Sequence, residues 1–286
     1  MVMEKSKIKE LIAKIEKLPT LPVVVARINA MVQNPKTSAR EVGAAIATDP
    51  SLSARVLKMV NSAYFGFPSQ ISSISHATTI LGFNAIQNLA LTATVFQLFR
   101  DNSGDELFDR RRFWEHSLGV GVLSRLLAEK TRYADKEEAF TAGLIHDVGK
   151  IVLDQFVHEE FKAVMGLVRA NDMLLYEAES RLLGLNHANV AYIVSQKWNL
   201  PKKLQEPLAY HHAPGLSKYN PQLTGIVHLA DILCRALKIG NGGDNKVPVL
   251  DKAAVADFKL NASDIEQLKN VSEKEIEKAE VFLEML

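Results

Sequence analysis

Five histidines and two aspartates in the second half of the chain carry residue types able to do metal chemistry: His116, His146, Asp147, His187, His211, His212 and Asp231. His116 shares a 3.6-residue stripe with Val120, Leu123 and Leu127, which turns it toward a core. His146 and Asp147 are adjacent within the apolar stretch EEAFTAGLIHDVGKIVL. Helical neighbours point about 100° apart, so the pair can serve one metal only if that metal lies between them, near the element's end. A buried, ionised Asp147 needs a metal, an arginine or a lysine beside it. His187 lies on the stripe of Val190, Ala191, Val194 and Trp198. His211 and His212 close the segment LQEPLAYHH, after which Pro214-Gly215 breaks the helix. Asp231 shares an apolar face with Val227, Ala230 and Cys234. Taken singly, each of these residues reads as a satisfied core group. Taken together, convergence on a metal is a simpler account than coincidence.

The elements that must position these residues read as helices throughout, and the fold class is all-α. Ser38 with Glu41 forms a capping-box pattern, and Asp49-Pro50 starts a helix that buries Leu52, Val56, Met59 and Val60. Ser263 with Glu266 and Ser272 with Glu275 predict two further helix starts. VPVL, after the loop IGNGGDNK, is the one strand-like piece. Gly240, Gly242 and Gly243 make that loop flexible, as a lid or as a tether. A boundary is expected at DNSGDELFDRR, dividing a helical half over residues 1–105 from a second helical half over 106–286. Tyr64, Phe65 and Phe67 read as core or interdomain packing rather than a base-stacking platform.

Composition excludes several classes. With 34 Lys+Arg against 33 Asp+Glu, the net charge of +1 argues against a nucleic-acid binder built on phosphate neutralisation. Cys234 is the single cysteine, so no disulfide framework, zinc ribbon or iron–sulfur cluster can form within the chain. The N-terminal segment MVMEKSKIKELIAKIEKLP alternates charge with an apolar period at Ile8, Leu11, Ile12 and Ile15, unlike a signal peptide, and predicts a cytoplasmic protein. From Met59 to Phe99 there is no charged residue, but polar residues break every run long enough to span a membrane. A buried or partner-facing helical segment is expected there.

The order His116, His146-Asp147, His187, His211-His212, Asp231, with the segment HDVGK, resembles the HD superfamily of metal-dependent phosphohydrolases and, within it, the HD-GYP phosphodiesterases. LPTLPVVVARI, ATDPSLSARVLKMVNSAYFG and ISSISHATTILGFNAIQNLAL narrow the resemblance to the HDOD family, a bacterial signal-output domain, over roughly residues 15 to 235. That resemblance implies an HD-type helical bundle in the C-terminal half. It assigns His116, His146, Asp147 and Asp231 to a first ion and adds His187, His211 and His212 for a second, with Asp147 bridging. Fe or Mn is expected, with Ni, Zn or Mg as alternatives; imidazole and carboxylate donors alone do not choose among them. Two divalent ions outweigh two carboxylates, so the site would attract phosphate.

Two features depart from the relatives. APGLSKYNP follows His211-His212 with no GYP segment, and Arg112 stands where some relatives place an acid for a third metal. Lys150, four residues after His146, is expected either to hold a phosphate oxygen beside Asp147 in catalysis or to be a solvated lysine near a helix C-terminus. His76 and His158 match no ligand position, and His228, one turn before Asp231, could orient that carboxylate. Three functions follow: a signal-transduction output module with a retained metal site and a signalling protein as partner; a phosphohydrolase acting on a nucleotide or phosphodiester; and a metal-free interaction module.

Overall fold

The computed structural model describes residues 10–14, 20–32, 34, 36–99 and 108–285. Among them there are helices and no strands, as the periodicity predicts. Residues 10–14 are helical and bury Leu11, while Ile8 and Ile15 lie outside the described residues. The N-terminal helices are α1 (Val23–Val32), α2 (Ala39–Ala47), α3 (Pro50–Val60), α4 (Ile74–Leu81) and α5 (Phe83–Leu98). Ser38 caps α2 reciprocally with Glu41, and Asp49 accepts from the Leu52 N–H at the start of α3. Both starts follow from orphan N–H groups that only a side-chain oxygen can satisfy locally.

The second half of the uncharged segment resolves into core, whereas much of residues 61–84 is exposed, Ile80 included. Helix α5 is buried at every position from Ala85 to Phe96, so no amphipathic stripe exists to be read in it. Most of the expected boundary, residues 101–107, lies outside the described residues.

After it come α6 (Arg110–Lys130), α7 (Lys136–Ile145), α8 (Val148–Phe156), α9 (His158–Asn171), α10 (Leu175–Leu183), α11 (His187–Lys197), α12 (Lys202–Tyr210), α13 (Pro221–Ala236), α14 (Lys252–Val255) and α15 (Ala262–Ala279). The stretch around His146-Asp147 is thus two helices rather than one, and the pair forms the joint between α7 and α8. Helices α6 and α7 approach closely because Gly143 leaves room: a Cβ there would lie 2.5 Å from Ser124 Oγ and 2.7 Å from the Val120 carbonyl. Helix α8 meets the start of α11 the same way, with a Cβ on Gly149 falling 2.0 Å from the His187 carbonyl oxygen.

The C-terminus differs from expectation. Ser263 and Ser272 start no helices; Asn261 caps a single α15, with Asp264 as its reciprocal partner. No glycine or proline interrupts residues 262–279, so the helix runs through Ser272, whose hydroxyl donates to the Lys269 carbonyl. VPVL forms no strand. A 3-10 turn over Glu280–Met285 then returns to the N-terminal helices. There Tyr64 packs against Phe140 of α7 and Phe282, at centroid distances of 5.0 and 5.5 Å, with the Arg125 guanidinium 4.6 Å over its ring. The aromatic run is therefore packing, as expected. No helix among the described residues is long and apolar enough to cross a membrane.

Candidate metal centre

The seven proposed ligands converge. His116 comes from the first half of α6, His146 and Asp147 from the α7–α8 joint, His187 from the first position of α11, His211 and His212 from the end of α12, and Asp231 from α13. They fall into two groups, Asp147 with His187, His211 and His212, and His116 with His146 and Asp231; within each group the ligand atoms lie within 4.8 Å of one another. Six of the seven are at most 2% exposed, and His212 is partly exposed.

Asp147 faces both groups. Its Oδ1 lies 3.1 Å from His187 Nε2 and 3.5 Å from His211 Nε2. Its Oδ2 lies 3.2 Å from His146 Nε2 and 3.7 Å from His116 Nε2. Asp231 Oδ1 is 3.2 Å from His116 Nε2 and 3.9 Å from His146 Nε2.

The outer ring nitrogens fix which way the imidazoles present themselves. His146 Nδ1 faces the Gly143 carbonyl at 2.6 Å, His211 Nδ1 the Pro207 carbonyl at 3.1 Å, and His187 Nδ1 the Glu179 carboxylate at 2.6 Å. Each partner is an obligate acceptor, so each Nδ1 carries the hydrogen and each Nε2 turns a lone pair inward. His187 Nε2 and His212 Nε2 are 2.9 Å apart. His116 Nδ1 and Nε2, His146 Nε2, His211 Nε2 and Asp147 Oδ1 are buried with no hydrogen-bond partner. Lone pairs crowded in this way fit a cation: ligand atoms about 2.1 Å from one ion lie roughly 3.0–3.4 Å from each other. The residues therefore suit bound divalent ions, and the outer carbonyl and carboxylate partners are those that orient ligand histidines.

The electrostatics of both aspartates and of His116 and His211 agree, and His187 is the exception. Burial works to raise the Asp147 pKa, yet His146, Lys150 and His187 outweigh it and hold the carboxyl well below the usual range. For Asp231, burial is likewise overcome by Arg235 and His116. Burial pushes His211 down to about 4 despite Asp147, which keeps it neutral at pH 7 and able to ligate. Burial also lowers His116, against the pull of Asp231. His187 is raised, because Glu179 overcomes its burial.

Lys150 is not a solvated lysine. It is fully buried, and its ammonium donates to Asp147 Oδ2 and, at 2.8 Å, to the Gly242 carbonyl. Residues 239–246 lie over the centre as a cover rather than a tether. Asn241 N–H donates to the Arg112 carbonyl at 2.8 Å, and Gly240, at φ +60°, sits where a Cβ would be 2.2 Å from His116 N. Arg235 ties this cover to the centre, donating from Nε to Asp231 Oδ1 at 2.9 Å and from Nη1 to Asp244 Oδ1 at 3.0 Å.

His228 does not orient Asp231. Its Nδ1 donates to the His211 carbonyl at 2.7 Å and its Nε2 accepts from Asp251 N–H at 2.9 Å, so it braces His211 instead. His76 is exposed, and His158 pairs with Asp154, away from the centre. Glu179 and Arg235 were not anticipated. Glu179 carried a signal, being an acid one turn after Leu175 on the buried stripe of α10. Arg235 carried another, standing four residues after Asp231.

The chain is an all-helical protein with a buried histidine and aspartate cluster at a helix joint. Residues 18–214 match the HDOD domain, and the chain belongs to that family. His116 to His212 fall within the match, whereas Asp231 and the covering loop lie beyond it. The structure is similar to an HDOD domain protein with unknown function from Geobacter sulfurreducens, with a TM-score of 0.80 at 26% identity over 98% of this chain and 97% of that one. A protein named as a candidate phosphohydrolase from Shewanella amazonensis SB2B shares the fold, with a TM-score of 0.73 at 22% identity over 95% and 97% of the two chains. An uncharacterized protein of Treponema pallidum is 24% identical over 91% of this chain, which spans 49% of that protein's length.

Proposed function

We propose that this chain is a bacterial, cytoplasmic HDOD signal-transduction output protein that retains an HD-type centre for two divalent ions. In this reading residues 1–105 form the N-terminal helical half and 106–286 the half that holds metal. His116, His146, Asp147 and Asp231 hold one ion, and Asp147, His187, His211 and His212 the other, with Fe or Mn the expected metal among those that nitrogen and oxygen donors accept. The observation that carries it is Asp147, whose two oxygens face separate clusters of inward Nε2 atoms. The covering loop favours a signalling scaffold over an open hydrolase, since its Gly242 carbonyl occupies the Lys150 ammonium and six of the seven ligands are buried beneath it. A signalling protein is the partner expected. Elemental analysis of protein purified without a polyhistidine tag tests the reading: two ions per chain are expected, and a metal-free protein whose melting temperature ignores chelator sinks it in favour of a metal-free interaction module.

Lys150 supports a second reading, a phosphohydrolase acting on a nucleotide or phosphodiester. Bound ions would supply Lewis acidity toward a phosphoryl oxygen. Asp147 would hold them, and Lys150, on exchanging the Gly242 carbonyl for a phosphate oxygen, would neutralise charge that develops there. Protein reconstituted with Fe or Mn should then release product from a phosphodiester panel, and His146→Ala and Asp147→Ala should abolish that release.

A further inference from the structure

A cavity of about 390 Å³ opens beside the centre, with Arg112, His116, Lys238, Gly242 and Lys246 in its wall. Arg235 also lines it, and Asp244 is the one carboxylate there. Asp244 already accepts from Arg235, so its charge is spent within the wall. Arg112 is exposed, and its guanidinium reaches a single backbone carbonyl, that of Gly240, at 3.3 Å. Lys238 is exposed at the mouth. Lys246 pairs with Asp172, whose side chain is 78% exposed, a surface bridge that a competing anion can replace. At the inner end stands His116, buried with both ring nitrogens unpartnered; a Cβ on Gly242 would be only 3.3 Å from its Nε2. The cavity thus approaches the ligand cluster from a wall dominated by positive charge.

We propose that this cavity is a phosphate pocket, in which Arg112, Lys238 and Lys246 bind the phosphate group of a small ligand beside the His116 side of the centre. A carboxylate would leave most of that charge unanswered, whereas a phosphate dianion offers several acceptor oxygens to converging donors. The volume exceeds what one phosphate needs. A second cavity of about 390 Å³ shares Arg112, Asn241, Asp244 and Asn245 with the first and adds Phe108, Met165, Val168 and Met173 beside the charged Asp109, Arg169 and Asp172. A mixed wall of this kind can seat a ring against Phe108, Met165, Val168 and Met173 while its polar residues meet ring heteroatoms, so the ligand is a phosphate ester with a polar aromatic body, of the size of a nucleoside monophosphate.

This deepens the metal-centre reading by naming the ligand chemistry on its outer side, and the test separates the two because it uses chelated protein. Isothermal titration calorimetry is run with inorganic phosphate and with AMP on wild type, Arg112→Met/Lys238→Met and the control Lys269→Met, whose side chain is exposed on α15 and outside the pocket wall. Phosphate should bind wild type and the control alike, and the double variant should weaken it about ten-fold or more. AMP should bind more tightly than phosphate. No heat from either probe at millimolar concentration, or an unchanged affinity in the double variant, overturns the pocket. AMP binding no tighter than phosphate overturns the ring-seating half and leaves the phosphate site standing. Metal content measured on the same preparation decides the centre independently.

Discussion

Glu206→Gln is expected to lower stability by about 2–4 kcal/mol at pH 7, because one carboxylate holds the whole turn that leads into α13. Glu206 is 6% exposed. Its Oε2 accepts from Ser217 Oγ at 2.6 Å, Tyr219 N–H at 2.8 Å and Asn220 N–H at 2.7 Å, and its Oε1 accepts from Lys218 N–H at 2.8 Å. Glutamine can keep an oxygen on the crowded side, but its amide then points an N–H at the Lys218 N–H. One charge-assisted bond is lost, worth about 1.5–3 kcal/mol, and the remaining three weaken by about 0.3 kcal/mol each, since the amide oxygen still accepts all of them. At roughly 2 °C per kcal/mol for a chain of this size, the melting temperature should drop by about 4–8 °C.

The pH dependence provides the sharper check. Burial works to raise the Glu206 pKa, but the Ser217 hydroxyl and the three backbone N–H groups outweigh it and hold it below the ordinary 4.5. A depressed carboxylate contributes its full stability above its unfolded pKa and loses that contribution as pH falls through the folded value. The deficit of the variant, followed by thermal melts, should therefore be constant from pH 8 to about 5.5 and shrink below about 4.5. A melting temperature within about 1 °C of wild type at pH 7, or a deficit unchanged at pH 4, would refute the reasoning.

Other perturbations probe the centre directly. Glu179→Gln replaces the acceptor that holds His187 Nδ1 and should weaken ion binding by about 10–100-fold in competition with a chromophoric chelator; unchanged affinity would show that packing alone orients the ring. Gly149→Ala places a methyl where the His187 carbonyl stands, so α8 and α11 must part, with a loss of about 1–3 kcal/mol or more in urea unfolding and poorer metal retention. Wild-type behaviour there would mean the interface is looser than the distances imply. In chelated protein, Asp147→Ala leaves the Lys150 ammonium buried without its carboxylate, at about 3–5 kcal/mol. Adding Lys150→Met should recover most of that loss, and a double variant no better than the single would contradict the pairing.

What could be read from residue order was the part governed by local periodicity. His116, His187 and Asp231 sit on apolar stripes of α6, α11 and α13, and the structure buries all three. The starts of α2 and α3 follow from Ser38, Glu41 and Asp49, because capping is a matter of three or four residues. Local rules misled at Ser272, where a plausible cap lies inside a helix already started by Asn261. They were silent on α5, because a helix buried all round has no stripe. The supports of the site depend on long-range packing: Gly242 meets Lys150 across 92 positions, and no spacing rule links them. Lys150 admits two roles from sequence because its neighbours there say nothing about a loop folded over it. The number of ions and the chemistry they perform depend on occupancy, which the order of ligands does not encode.

The aromatic junction of Tyr64, Phe140 and Phe282 bears on how the protein is made. Its members are separated by more than two hundred residues, so the first waits on the last. At translation rates of 5–20 residues per second, Tyr64 leaves the ribosome roughly 10–40 s before Phe282 does. Through that interval the nascent N-terminal helices present an unsealed aromatic surface, and Asp231, which completes the ligand cluster, also arrives late. Biosynthesis therefore imposes an order: the cluster of His116, His146, Asp147, His187, His211 and His212 waits on Asp231 for its last member, and the aromatic junction waits longer still on Phe282.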